Sequence, residues 1–240
     1  MYYGWRKTIG LLIPSTGNAP EVEFHRYAPE GVAVTSQHVL FECVDEKGLR
    51  EMGARLEDAA RILATGEPDI FLFACTMGSL VGGVGYDEGI CGRLEKATGI
   101  PTITTSTAVR AALARLKPKQ LAVVTPYSAE MNAIEKRFLE AHGFPVLSIE
   151  GLGAVDPRVM PKTTANAMYR LAGETLRGQG AGADALFVSC TGLGIIDYLP
   201  LFERDFGLPV IGSVQASLWH TLRVLGIKDR LPLGSIFEEE

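Results

Sequence analysis

The sequence predicts an α/β protein of two pseudo-symmetric lobes, each a mostly parallel sheet flanked by helices, with the active site in the inter-lobe cleft. Three observations predict it. Short continuous apolar runs, the pattern of strands buried on both faces, alternate along the chain with stretches of helical periodicity. One such run, Asp69-Ile70-Phe71-Leu72-Phe73-Ala74-Cys75-Thr76, returns as Asp184-Ala185-Leu186-Phe187-Val188-Ser189-Cys190-Thr191, with five residues between Asp and Cys in both copies. Landmarks also recur in the same order at nearly one offset: Pro14 and Pro126 lie 112 residues apart, Cys75 and Cys190 115, and Gly99-Ile100-Pro101 and Gly207-Leu208-Pro209 108. So long a period signals two similar lobes rather than a solenoid, and strands alternating with helices imply right-handed parallel crossovers.

In chain order, Thr8 to Ile13 reads as a strand stopped by Pro14, and Ser15 to Pro20 as a polar turn ahead of Glu21 and Glu23. Val32 to Thr35 reads as a second strand. Glu46 to Ala64 carries Leu49, Met52, Leu56, Ala59, Ala60 and Leu63 at helical spacing, and Gly66-Glu67-Pro68 ends that helix ahead of the Cys75 strand. After a glycine-rich turn come a helix over Asp87 to Thr98, a strand over Thr102 to Thr104, and a helix over Ser106 to Leu116 with Ser106 as N-cap. The second half gives a strand over Gln120 to Thr125 stopped by Pro126, a helix over Ala129 to Ala141, a strand over Pro145 to Ile149 and a loop over Gly151 to Ala154. A helix over Thr163 to Arg177, the Cys190 strand, a helix near Ile196 to Phe206, the strand Val210-Ile211 and a helix over Ala216 to Leu225 complete it. The predicted lobes are residues 1–117, carrying Cys75, and 118–240, carrying Cys190, with a terminal βα unit free to cross between them.

A chain of 240 residues can bury a substantial core. Its 47% hydrophobic and 21% charged residues are ordinary for a globular protein, and a net charge of −5 without a basic block argues against nucleic acid. The apolar run ending at Pro14 is too brief for a signal-peptide core. The uncharged stretch Ile70 to Tyr86 is broken by Gly78, Gly82, Gly83 and Gly85 and is too short to span a membrane. The four cysteines show no CxxC spacing, which reads as reduced thiols in a cytoplasmic protein.

Ligands of open parallel sheets gather at the carboxyl ends of strands, where Cys75 and Cys190 both fall. A thiol serves as nucleophile or proton carrier, and its thiolate is a base of adjustable pKa. The residues after each cysteine are predicted to open a helix, where free N–H groups favour an anion, whether thiolate or substrate carboxylate. Those segments contain Thr76, Met77, Gly78 and Ser79 in one copy and Thr191 and Gly192 in the other, while Ser15 and Tyr127 come from equivalent strand ends. Such a cradle of hydroxyls and amides, with no Arg or Lys nearby in sequence, can stabilise an enediolate formed when a carbon beside a carboxylate loses a proton or CO2. Cys43 and Cys91 read as filler, whereas the matched positions of Cys75 and Cys190 point to function. Thr76 and Thr191 read either as helix caps or as substrate donors, and Tyr127 as packing or as a substrate contact. The four histidines lack metal-ligand spacing, so no metal is expected; His142, ahead of Gly143, reads as satisfying a helix end. Gly82-Gly83-Val84-Gly85 lacks the rest of a nucleotide fingerprint and reads as a turn or a substrate-facing lid. Trp219 reads as core.

Ile13-Pro14-Ser15 with Glu21 and Glu23, Ala74-Cys75-Thr76, Thr125-Pro126-Tyr127 and Ser189-Cys190-Thr191-Gly192 together resemble the aspartate/glutamate racemase superfamily, within it the maleate isomerase and arylmalonate decarboxylase branch. The resemblance covers nearly the whole chain. It implies a cofactor-independent enzyme with one catalytic cysteine from each lobe, and homo-oligomers as the family often forms. By the same resemblance Cys75 would be the nucleophile that adds to a double bond, Cys190 would carry the proton, and Asn18 and Tyr127 would hold carboxylates. Two departures stand out. Maleate isomerases read Pro-Ser-Ser-Asn where this chain has Pro14-Ser15-Thr16-Gly17 and then Asn18, and arylmalonate decarboxylases have glycine where this chain has Cys75. The expected function is isomerisation or racemisation of a small carboxylic or dicarboxylic acid. Alternatives are a decarboxylase with Cys190 as proton donor to an enediolate, and a non-catalytic binding protein for a small acid.

Overall fold

The computed structural model describes residues 2–238. Strand β1 (Lys7–Pro14), helix α1 (Ala19–Tyr27), β2 (Val32–Val39), α2 (Glu46–Gly53), α3 (Leu56–Ala64), β3 (Ile70–Phe73), α4 (Thr76–Leu80), α5 (Tyr86–Thr98), β4 (Thr102–Thr104) and α6 (Thr105–Leu116) form the first half. β5 (Leu121–Tyr127), α7 (Ala129–Ala141), β6 (Val146–Ala154), α8 (Ala165–Arg177), β7 (Ala185–Val188), α9 (Leu199–Phe206), β8 (Val210–Gly212) and α10 (Ser213–Val224) form the second. The strands make two four-stranded sheets, ordered β2-β1-β3-β4 and β6-β5-β7-β8, and every pairing is parallel.

The apolar runs have the reason that parallel sheets give them. Every residue of β3 and of β7 is buried, because helices cover both faces. In each sheet the connections leave in opposite directions between the two central strands, β1 and β3 or β5 and β7. The crevice beyond the carboxyl ends at such a switch point is where open α/β sheets bind ligands. Helices α6 and α10, which follow the matched strands β4 and β8, pack on each other, while α1 touches α10 and α4 touches α7. No helix among the described residues is long and apolar enough to cross a membrane.

Several local expectations are corrected. The segment after Asn18 is helix α1, with Pro20 in its first turn, where proline's missing N–H costs nothing. The single helix over Glu46 to Ala64 is two, broken at Ala54 and Arg55. Gly53 ends the first where a Cβ would lie 3.0 Å from the Tyr86 hydroxyl. Thr104, not Ser106, caps α6, accepting from the Thr107 amide. Pro126 does not stop its strand: β5 runs on to Tyr127 across a register shift, the place where a sheet tolerates proline. Gly151 to Ala154 extend β6 rather than forming a loop, and a Cβ on Gly151 would meet the Tyr127 carbonyl at 2.4 Å, so only glycine fits there. The residues after Cys75 open a helix as expected, but those after Cys190 form a turn and then a 3-10 segment, Ile196–Tyr198. His142 Nδ1 sits 2.8 Å from the Phe138 carbonyl at the end of α7, and Trp219 is buried.

Buried hydroxyls stitch the two sheets at the cysteine turns. Thr191 Oγ1 donates to the Ala74 carbonyl at 3.1 Å, and Thr76 Oγ1 donates to Ser213 Oγ at 3.0 Å. Ser213 Oγ also accepts the Cys190 N–H at 3.0 Å, so one hydroxyl at the head of α10 joins the residue after Cys75 to Cys190 itself. Further along the seam, Ser217 Oγ donates to Thr105 Oγ1 at 3.1 Å. A buried donor left unpaired costs its full desolvation. Ser213→Ala should therefore destabilise the protein by about 1–3 kcal/mol, read as a lower urea midpoint at unchanged slope.

Candidate active site

Cys75 stands in extended backbone just past β3 and caps α4, its Sγ accepting the Gly78 N–H at 3.3 Å. Gly78 is glycine for the sake of that contact: a Cβ there would lie 2.8 Å from Cys75 Sγ and 2.6 Å from Met52 Cε. Cys190 stands just past β7 in a different backbone. Its φ is +122°, a conformation that side chains rarely adopt and that costs about 1–3 kcal/mol unless surroundings impose it. The surroundings do so here, through the bond from its own N–H to Ser213 and the bond from Thr191 to Ala74. Cys190 Sγ accepts the Gly192 N–H at 3.2 Å, and Met160 Sδ lies 3.9 Å from it.

Both thiols line one cavity of about 40 Å³, on a scale where one water needs roughly 10–15 Å³. Thr76, Met77, Tyr127, Thr191 and Gly192 line it with them. Its wall is otherwise apolar: Ile13, Pro14, Pro20, Phe41, Val44, Leu49, Pro157, Met160 and Pro161, with Thr16 and Gly17 at the β1 turn. No lining residue is charged. Gly78 and Ser79 lie behind this lining; Ser79 Oγ donates to the Cys75 carbonyl at 2.7 Å and pairs with Ser106 Oγ at 2.7 Å. Ser15 is exposed, its hydroxyl accepting the Phe41 N–H at 3.0 Å, and Asn18 is exposed ahead of α1; neither lines the cavity. Thr76 and Thr191 are neither helix caps nor free donors, since both hydroxyls are engaged across the seam. They border the cavity while holding it together.

Burial dominates the electrostatics. It pushes the Cys75 thiol up to about 12, against the Gly78 amide, which favours the thiolate, with Cys190 nearby adding to the rise. It pushes Cys190 up to about 11, where the Tyr127 hydroxyl and the Gly192 amide act in the thiolate's favour and Glu135 acts against it. Tyr127 is itself held well above its ordinary value by burial and by Cys190. Burial thus favours the protonated form of both thiols at neutral pH.

Some participants carried no pattern in the sequence. The apolar wall comes from the end of β1, the start of α1, the stretch from Phe41 into α2 and the segment around Met160, and Ser213 is an ordinary serine at a strand end. Glu23 on α1 is buried with Oε1 accepting the Ile196 N–H at 3.0 Å, and burial pushes its carboxyl up to about 8. Together with the Arg26–Asp197 ion pair at 2.6 Å and the Tyr27–Asp197 hydrogen bond, it ties α1 to the segment after Cys190. Among the described residues no group of three or more His, Cys, Asp or Glu could hold a metal ion.

Comparison with known proteins places this geometry. The family model described as arylmalonate decarboxylase matches residues 9–235. The arylmalonate decarboxylase of Bordetella bronchiseptica is 25% identical over 234 residues, 97% of this chain and 97% of that protein. A cysteine-to-alanine variant of the maleate isomerase Iso from Pseudomonas putida S16, solved with maleate, superposes with a TM-score of 0.90 at 21% identity, covering 96% of this chain and 97% of the other. A cysteine-to-serine variant of the Nocardia farcinica maleate cis-trans isomerase, solved with a covalently bound succinylcysteine intermediate, superposes at 0.89 with 23% identity, covering 98% and 99%.

The raised thiols make a direct prediction. In the ligand-free protein the exposed Cys43 should be alkylated by iodoacetamide well before Cys75 and Cys190 at neutral pH. The two buried thiols should then quicken by about tenfold per pH unit up to about pH 10. Peptide mass spectrometry at timed quench points resolves the three sites.

Proposed function

The chain belongs to the arylmalonate decarboxylase family, and from that premise we propose that it is a cofactor-independent isomerase or racemase of a small carboxylic acid, working through Cys75 and Cys190. One observation carries this reading. A thiol from each sheet lines the same small cavity, each taking an amide N–H from a glycine just downstream. One thiol suffices to protonate an enediolate; exchange between two faces of a carbon needs a base on one and an acid on the other.

On this reading one sulfur acts as the anion. In racemisation it removes the proton beside the carboxylate, the charge moves into the enediolate, and the opposite thiol delivers its proton to the other face. In cis-trans isomerisation the thiolate adds to the double bond, the resulting C–C single bond rotates, and elimination restores the thiolate. The acid's oxygens would meet neutral donors: the Tyr127 hydroxyl, the Gly192 amide, and the first-turn amides of Thr76 and Met77, which α4 itself leaves without acceptors.

The apolar wall of Phe41, Val44, Leu49 and Met160 favours a second reading, decarboxylation of a malonate bearing an apolar substituent, with Cys190 alone as proton donor. Turnover and solvent-deuterium incorporation decide between them. Two-thiol chemistry requires that Cys75→Ala and Cys190→Ala each lose about 10²–10⁴-fold; full turnover in either variant sinks it. Loss in Cys190→Ala with CO2 release retained in Cys75→Ala would identify the decarboxylase.

The pH profile gives an independent check. Burial holds both thiols protonated in the free enzyme, and raised values keep the proton on to higher pH. Two-thiol chemistry needs one of them ionised, so kcat/KM should climb about tenfold per unit from neutral to about pH 10. A decarboxylase that uses only a neutral thiol would stay flat over that range.

A further inference from the structure

Glu135 lies in the middle of α7 with no exposed surface. Its Oε1 accepts a hydrogen bond from Ser189 Oγ at 2.5 Å, and its Oε2 has no hydrogen-bond partner among the described residues. Ser189 is the residue immediately before Cys190, where the backbone takes its φ of +122°. A buried carboxyl with one bare oxygen is thus wired to the turn that carries a thiol.

The repeat shows how particular this is. Glu135 lies 112 residues after Glu23, the offset that separates Pro14 from Pro126. Glu23 does not mirror it: its Oε1 accepts the Ile196 N–H across the lobes, and the residue before Cys75 is Ala74, which has no hydroxyl to offer. Among the described residues, only the Cys190 copy has a carboxyl joined to the cysteine turn by a side-chain bond.

We propose that Glu135 is a positioning residue for Cys190, fixing its turn through Ser189 and setting its charge, because the Glu135 carboxylate and the Cys190 thiolate disfavour each other. While Glu135 is charged, Cys190 keeps its proton; while Glu135 is neutral, Cys190 ionises more readily. Cys75 has no such partner, and the duplicated thiols become unequal. The use of that inequality in catalysis rests on the two-thiol reading, but the coupling itself does not.

The charges around Glu135 support the pairing. The titratable groups on which its charge acts are Cys190 and Tyr127, and both are raised by it. Helix α4, which packs on α7, has no charged residue and only Cys75 at its head. On α7 itself Glu130, Arg137 and Glu140 are exposed and Lys136 is half-buried, as is Glu150 on β6. Burial raises the Glu135 carboxyl and the Ser189 bond opposes that rise, leaving it at about 7. The coupling therefore switches in the neutral range.

The test is the pH dependence of Cys190 alkylation by iodoacetamide in the full chain, followed by peptide mass spectrometry from about pH 6 to about pH 10. With Glu135→Gln, Cys190 should react about tenfold faster than wild type above neutral pH, with the gap closing toward about pH 6, where wild-type Glu135 is itself neutral. Cys75 should move much less. Ser189→Ala, which keeps the charge and removes only the bond, should track wild type within about twofold at alkaline pH. A merely structural role would quicken both cysteines at every pH. Superimposable Cys190 profiles for Glu135→Gln and wild type, or a gap independent of pH, would overturn the proposal. If Glu135→Gln fails to fold, the protonated-carboxyl infrared band of the wild type decides, read against Ser189→Ala: loss of a band near neutral pH that shifts upward in Ser189→Ala supports it, and absence of that shift overturns it. Alkylation reports Cys190 without any turnover, so a failure here leaves the two-thiol reading to the cysteine variants, and the converse.

Discussion

Two thiols can serve one carbon only if their spacing is fixed, and in this protein hydroxyls fix it. The bonds from Thr191 to the Ala74 carbonyl and from Thr76 to Ser213 cross between the two sheets at the cysteine turns, and Ser213 also accepts the Cys190 N–H on its own side. They are buried, where a hydrogen bond is strong and an orphaned group is costly. Rotating one sheet against the other would break both crossing bonds at once. Access therefore belongs to the cavity wall rather than to a hinge. The segment around Pro157 and Pro161 faces the cavity, its neighbours Val155 and Val159 are exposed, and it contributes none of the crossing bonds.

The seam also explains why a duplicated sequence yields an asymmetric site. The two strands, their order in the sheet and their terminal cysteines match, yet each thiol meets different chemistry. Cys75 heads a helix in relaxed extended backbone; Cys190 sits on a strained turn near Tyr127, next in sequence to the Ser189 that bonds Glu135. Ala74 against Ser189 is a difference of one hydroxyl, and it decides whether a buried carboxyl is connected to the thiol beside it. Glu23, released from that duty, instead holds the segment after Cys190 from the other lobe.

Much of the fold was legible because the constraints that wrote it are local. Strands buried on both faces must be continuously apolar, and the repeated Asp-to-Cys run marks the switch point twice. What escaped the sequence was set by tertiary contact. Helix α1 has its signal in Asn18 and Pro20, but its apolar content is small and its anchoring residue, Glu23, looks like a surface glutamate. β5 runs through Pro126 because a register shift absorbs the missing donor, which no composition reveals. The thiols and Tyr127 were readable from their matched places at strand ends. The wall from Phe41, Leu49 and Met160 was not, since those residues come together only after the loops fold back. Thr76 and Thr191 were read as caps or substrate donors; their hydroxyls bind partners 137 and 117 residues away in sequence.

A resting pair of neutral thiols suits a cavity with no charged residue. On the proposed reading the ligand arrives as an anion, and a thiolate already waiting in so small a space would raise its energy as surely as it raises the thiolate's own. Protonated sulfurs remove that conflict. Ionisation then becomes favourable only as the carboxylate's charge is taken up by amides and the Tyr127 hydroxyl, so the base appears when there is an acid hydrogen or a double bond beside it to attack. The same burial that makes the thiols poor nucleophiles in the empty site protects them from adventitious reagents. A buried carboxyl bonded to the residue before Cys190, which burial raises toward neutrality, adds a bias at that thiol alone on the proposed reading. The two thiols thus differ in charge environment as well as in backbone.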